Sequence, residues 1–123
     1  MIHIFAQELL PKIKDYDVVL FGMGINNSFA KGLLEEIALN FPKVKEEENS
    51  LSAYGDRTKY GKIFTVNVDG IIFCACYMND GGYNKKRKGS DYVDYDALQS
   101  CLRNVKKRYC SKRICAPIIG NSF

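Results

Sequence analysis

Residues 18–37, VVLFGMGINNSFAKGLLEEI, constrain the fold more than any other stretch of the chain. Asp17–Phe21 carries an apolar run, including the β-branched Val18 and Val19, without polar alternation. A strand that is apolar on both sides has to be covered on both sides, which places it mid-sheet in an α/β arrangement. It leads into Gly22-Met23-Gly24-Ile25-Asn26-Asn27-Ser28 and then into Leu34, Ile37, Ala38 and Phe41 at helical spacing. Strand, flexible turn and helix N-terminus together present backbone N–H groups to an anion. The first four N–H groups of a helix lack an intrahelical partner, and the helix dipole adds partial positive charge there. Glycines at 22, 24 and 32 allow positive φ and close approach of a ligand, and Asn26, Asn27 and Ser28 suit turns. A plain strand-to-helix connection uses the same residue types, so the window alone leaves both readings open.

The two familiar phosphate motifs fail here. A dinucleotide fingerprint needs a third glycine where Asn27 stands, and a Walker loop needs Lys and Ser/Thr after the second glycine, where Gly32 is followed by Leu33. A chain of 123 residues with 46% hydrophobic and 26% charged residues is one globular domain, residues 1–123. A net charge of +4 favours anionic ligands without the asymmetry of a dedicated nucleic-acid binder. No apolar run reaches membrane-spanning length and no signal-peptide pattern opens the chain, so an intracellular, cytoplasmic protein is expected. Five cysteines without CxxC or CxxH spacing form neither a disulfide framework nor a zinc site. They read as buried free thiols, with Cys74 and Cys76 on one face of a strand. No metal and no cofactor is expected, and His3 reads as a structural or surface residue.

Along the chain, Ile2–Phe5 reads as a short strand, and Pro11 limits Gln7–Lys14 to a turn or two of helix. Pro42 is expected to end the helix after residue 32, and Lys43–Tyr60 reads as charged and irregular, with Glu46-Glu47-Glu48 in a solvated loop. Asp69-Gly70 between Lys62–Val68 and Ile71–Tyr77 predicts a β-hairpin. After a basic, glycine-containing stretch, Tyr95, Leu98, Leu102, Val105 and Tyr109 predict the buried stripe of a helix capped by Asp94, with Arg103, Lys106, Lys107 and Arg108 outward. A last strand is expected around Arg113–Ala116. Strands and helices interleave around one hairpin, which predicts an α/β fold with a mixed sheet and helices on both faces. Ligands of such sheets sit at strand carboxyl ends, where the loops after Phe21, Tyr77 and Ala116 could converge.

The succession of Asp17–Gly24, the asparagine loop, Ala30-Lys31-Gly32-Leu33, Phe41-Pro42, Tyr54-Gly55-Asp56, Lys59-Tyr60-Gly61-Lys62 and the Phe73–Tyr77 strand resembles macro domains. The resemblance continues through Tyr95-Asp96-Ala97-Leu98 to Pro117-Ile118-Ile119-Gly120. More narrowly it looks like the small branch related to ADP-ribosyl-glutamate hydrolases and ADP-ribose-1''-phosphate phosphatases. It implies a three-layer α/β/α domain that binds ADP-ribose or an ADP-ribosylated protein. The ligand contacts implied are Gly22, Met23, Gly24, Asn26, Asn27, Ser28, Phe29, Ala30, Lys31, Gly32, Leu33, Tyr77, Ile119, Gly120, Asn121, Ser122 and Phe123. The chain also departs from the family pattern. Gln7 is the nearest residue to the usual adenine-binding Asp, Phe29-Ala30-Lys31-Gly32 keeps only the final glycine of the first ligand loop, and the acidic position of the second loop falls at or beyond Phe123. The usual final helix lies beyond that point, so a fragment, a minimal variant, or a domain completed from elsewhere is expected.

Three functions follow. In an enzyme that hydrolyses ADP-ribosyl esters or ADP-ribose-1''-phosphate, Asn26 or Asn27 would orient a hydroxyl or water, and Lys85 or Lys86 would supply the base or nucleophile. A non-catalytic reader, or a sponge for an ADP-ribose-like signal, needs the same loops without the base. Single-stranded nucleic-acid binding would use Lys85–Lys88 and Lys106–Arg108 with Tyr83 and Tyr92, where a solvated basic loop is the competing account.

Overall fold

Each parallel strand of the sheet ends at the same edge, and that edge organises everything that follows. The computed structural model describes residues 2–5, 9–29, 32–79 and 94–117. Strands β1 (Ile2–Phe5), β2 (Val18–Gly24), β3 (Ile63–Val68), β4 (Ile71–Asn79) and β5 (Ile114–Pro117) form one five-stranded sheet in the order β1-β5-β2-β4-β3. All neighbours are parallel except β3, which runs antiparallel to β4. The apolar run at 18–21 is therefore central, as its lack of alternation requires.

Pleating divides that run between two cores. Val19, Phe21 and Met23 join Phe73, Ala75 and Tyr77 beneath α1 (Gly32–Asn40) and α2 (Pro42–Leu51), with Leu33, Leu34, Ile37 and Val44 supplied by the helices. Val18 and Leu20 join Cys74, Cys76 and Met78 beneath α3 (Tyr95–Tyr109). The result is a three-layer α/β/α sandwich. A 3₁₀ helix, Leu10–Asp15, carries Pro11 in its first positions, and His3 Nδ1 lies 2.7 Å from the Tyr16 hydroxyl. The hairpin closes through Asp69 (φ 52°) and Gly70 (φ 84°), both left-handed as a two-residue turn with matching twist demands. Cys74, Cys76, Cys101 and Cys115 are buried free thiols and Cys110 is exposed. No helix among the described residues is long and apolar enough to cross a membrane.

Three sequence expectations need correction. Gly22 and Met23 are not in a loop: β2 continues through Gly24, pairing Gly22 with Cys76 and Met23 with Tyr77 before the register shifts to Gly24 opposite Asn79. Neither Gly22 nor Gly24 has positive φ; Asn27 (φ 57°) and Gly32 (φ 57°) do. Second, Lys43–Tyr60 is irregular only in its later part, because Pro42–Leu51 is a helix. Helix α1 stops at Asn40 and Pro42 opens α2, since proline at the first helical position loses an N–H that had no partner there. Glu48 is thereby carried into the interior, 1% exposed, instead of lying in a solvated loop. Third, α3 buries Ala97, Cys101, Val105 and Tyr109, while Tyr95 and Leu102 are exposed. The true stripe keeps strict i, i+4 spacing and takes in the small Ala97 and Cys101, which allow the helix to lie close on β4. Asp94 caps it, accepting from Ala97 N at 3.1 Å.

Candidate functional site

At the carboxyl end of β2 the chain leaves the sheet through residues 25–29, and the polar groups of Ile25 and Asn27 are held from behind. Ile25 N donates to Asn79 O (3.1 Å) at the end of β4, and Asn27 N donates to Gly24 O (3.3 Å). Ser28 N donates to Asn26 Oδ1 (3.3 Å), an Asx turn of the kind asparagine favours. Phe29 and Ile25 are buried in the core beside α1 and α2. The loop is thus pinned by apolar anchors at both ends and turned through the left-handed Asn27 between them.

The support comes from α2 and from the connector to β3. Gly55 N donates to Ile25 O at 2.7 Å. Asn27 Nδ2 donates to Ser52 O at 2.8 Å, and hydrogen-bonding geometry assigns the Asn49 amide nitrogen to Glu48 Oε1 (3.1 Å) and Asn27 O (2.9 Å). Asp56 opens the 3₁₀ turn Arg57–Lys59, accepting from Thr58 N (2.8 Å) and Thr58 Oγ1 (2.7 Å), bonds that hold its carboxyl below the usual carboxylate range. That turn delivers Lys59 inward, 7% exposed. Its ammonium donates to Ile25 O (3.0 Å), Ala53 O (2.6 Å) and Asn27 Oδ1, and sits 4.4 Å above the Tyr77 ring centroid.

Tyr77 completes a chain of polar groups. Its hydroxyl donates to Glu48 Oε2 at 2.5 Å and lies 2.6 Å from Ser52 Oγ. Burial pushes the Glu48 carboxyl above its ordinary value, offset in part by the Tyr77 hydrogen bond and the Lys59 charge. Burial likewise lowers Lys59 and, joined by the Glu48 hydrogen bond, raises the Tyr77 phenol. A buried carboxylate and a buried ammonium therefore share one network through a neutral phenol, and no metal-ligating cluster occurs among the described residues.

Of the residues the sequence nominated, Asn26, Asn27 and Ser28 form this loop, and Gly32 and Leu33 begin α1. Leu33 and Phe29 turn their side chains into the core. Tyr77 is 2% exposed with its hydroxyl committed to Glu48 and Ser52, so it acts on the loop from beneath. Gly22 and Met23 are strand residues, as above. Gln7, Ala30, Lys31, Tyr83, Lys85, Lys86, Tyr92, Ile119, Gly120, Asn121, Ser122 and Phe123 lie outside the described residues. Glu48, Ser52 and Lys59 were missed. The signal for the first two was present: with Pro42 read as a helix start, Val44, Glu48 and Ser52 recur at i, i+4.

Solved structures with this architecture include the macrodomain of Thermus aquaticus DarG, with a TM-score of 0.71 over 100% of this chain and 80% of that one, at 15% identity. The chain has the macrodomain fold. The macrodomain of Mycobacterium tuberculosis DarG aligns with a TM-score of 0.63 at 17% identity, over 98% of this chain and 78% of that one. A Bacteroides thetaiotaomicron protein of unknown function gives 0.69 at 17% identity, over 99% and 80%. No protein-family model and no curated protein matches the sequence. The resemblance in the sequence and the fold in space thus agree at the level of architecture.

One prediction follows from the Glu48 network. A carboxyl whose folded pKa is raised binds its proton more tightly in the native than in the unfolded state. Its contribution is full below the ordinary value of 4.5 and is lost as pH rises through the raised one. Unfolding free energies of wild type and Glu48→Gln, measured at a series of acidic to neutral pH values, should show wild type losing ground to the variant as pH rises above 4.5. A difference independent of pH would refute it.

Proposed function

We propose that this macrodomain-fold chain binds ADP-ribose, free or attached to a protein, at the carboxyl edge of the sheet. The observation that carries the reading is the loop at 25–29. It leaves the central strand at the carboxyl edge, is hydrogen-bonded on its inner side to Lys59, Ser52 and Gly55, and precedes in the chain the helix α1, which begins at Gly32. Backbone N–H groups of the first turn, from Gly32 onward, would receive the diphosphate, with Lys31 adding charge beside it and Asn26 meeting the distal ribose. Residues 119–123 would form the second loop of the same grip.

Hydrolysis of an ADP-ribosyl ester or of ADP-ribose-1''-phosphate is the finer form of this proposal. Amides such as Asn26 position water without acting as bases, so Lys85 or Lys86 would have to supply the proton acceptor with a lowered pKa. Calorimetric titration with ADP-ribose tests the binding. Saturable binding tighter than that of AMP is expected, and no saturation at millimolar ADP-ribose would overturn it. Release of product from ADP-ribosyl-glutamate protein or ADP-ribose-1''-phosphate separates an enzyme from a reader.

A further inference from the structure

Lys59 is an expensive residue to bury, and its contacts show where it acts. Two of its three acceptors, Ile25 O and Asn27 Oδ1, belong to the loop at 25–29; the third, Ala53 O, belongs to the connector behind it. Ile25 O also accepts from Gly55 N, so both of its lone pairs are used. Asn27 holds φ at 57°, a conformation that a residue other than glycine keeps only where its surroundings fix it. Here they do so at both ends of the side chain, Nδ2 to Ser52 O and Oδ1 from Lys59.

Among the described residues, the charge is balanced without a direct ion pair. Lys59 lies on the face of a tyrosine whose hydroxyl donates to the Glu48 carboxylate. An anion on the phenol makes the ring face more negative, and a desolvated ammonium over such a face is held more strongly. Among the described residues the only buried side chains that carry charge are Glu48 and Lys59, and a buried charge pair is not a stabilising device compared with apolar packing. Its value lies in fixing three oxygens at one point with directional bonds.

We propose that Lys59 is the positioning residue of the ligand loop, an internal ammonium strut that sets the Ile25–Asn27 backbone in the conformation the ligand meets. This rests on the ADP-ribose reading for its functional half only, because the loop's order can be measured without ligand. Met at 59 keeps the length of the stem and removes every donor, while Glu48 keeps its Tyr77 and Asn49 donors. In Lys59→Met, amide hydrogen exchange at Asn27, Ser28 and Gly55 should speed up by about tenfold or more, while the β3–β4 ladder keeps its protection. ADP-ribose affinity should fall by about tenfold or more. In Lys59→Ala, propylammonium should restore loop protection and affinity, and 1-propanol, which fills space without the charge, should not.

Loop exchange within about twofold of wild type in a folded Lys59→Met overturns the proposal. So does rescue by 1-propanol equal to that by propylammonium. If neither variant folds, with or without propylammonium, Lys59 holds the whole domain and not its loop, and the proposal is equally lost. Failure of wild type to bind ADP-ribose overturns the functional reading instead, and leaves the exchange experiment to decide the strut.

Discussion

Replacing Glu48 with alanine should destabilise the domain by about 3–5 kcal/mol, the cost of removing one member of a buried, hydrogen-bonded charge arrangement. Glu48 is 1% exposed, and its Oε2 is the acceptor for the Tyr77 hydroxyl, with Oε1 facing the Asn49 amide. Without it the phenol and the amide lose their acceptor, the Lys59 ammonium loses its compensating anion, and a cavity opens under α2. Each of these losses carries its own cost, since a buried donor left unmet costs about 1–3 kcal/mol. Glu48→Gln retains one acceptor and the volume but not the charge, so it should recover the part of the loss that belongs to the Tyr77 hydroxyl and the cavity. Denaturant unfolding of the two variants at neutral pH provides the measurement. A loss below about 1 kcal/mol in Glu48→Ala would mean that water or a rearranged partner replaces the carboxylate.

The same residue marks the limit of what the sequence reveals. The central strand, the hairpin turn, the Asp94 cap and the final strand all follow from local chemistry, because apolar runs, Asp-Gly and a capping aspartate act within a few residues of themselves. Pro42 carries two opposite local meanings, stop and start, and only the packing of Val44 against the sheet decides for start. Once it does, Glu48 turns inward, and what had the composition of a solvated acidic loop becomes the support of the site. Lys59 is harder still. Its three acceptors lie six, thirty-two and thirty-four positions away in the chain, a convergence that no local pattern encodes. On α3 the error has a simpler cause: weighting Tyr95 and Leu102 for size hid the smaller Ala97 and Cys101, which are buried because the helix lies close to β4.

This division has a functional logic. The residues facing the carboxyl edge are short and polar, so they read as a generic loop, whereas the groups that make the loop specific sit beneath it in α2, the connector and β4. A loop whose Ile25 and Asn27 are held from below keeps a fixed backbone without drawing those groups to the solvent side. The apolar anchors Ile25 and Phe29 serve the same end by costing no polar group.

Gly32→Glu should abolish ADP-ribose binding, a loss of about a hundredfold or more, if the first turn of α1 receives the diphosphate as proposed. Two effects act at this position and have to be separated. Gly32 has φ 57°, so any side chain there strains the backbone by about 1–2 kcal/mol, and alanine suffers this strain alone. Glutamate adds a carboxylate to a helix N-terminus, which by itself favours the helix by about 0.3–1 kcal/mol. Gly32→Glu should therefore be at least as stable as Gly32→Ala, yet bind far more weakly, since the added carboxylate competes for the same N–H groups and repels the diphosphate. Thermal unfolding and calorimetric titration of both variants read the two effects independently. Equal affinity for ADP-ribose in the alanine and glutamate variants would place the diphosphate away from α1, whatever their stabilities.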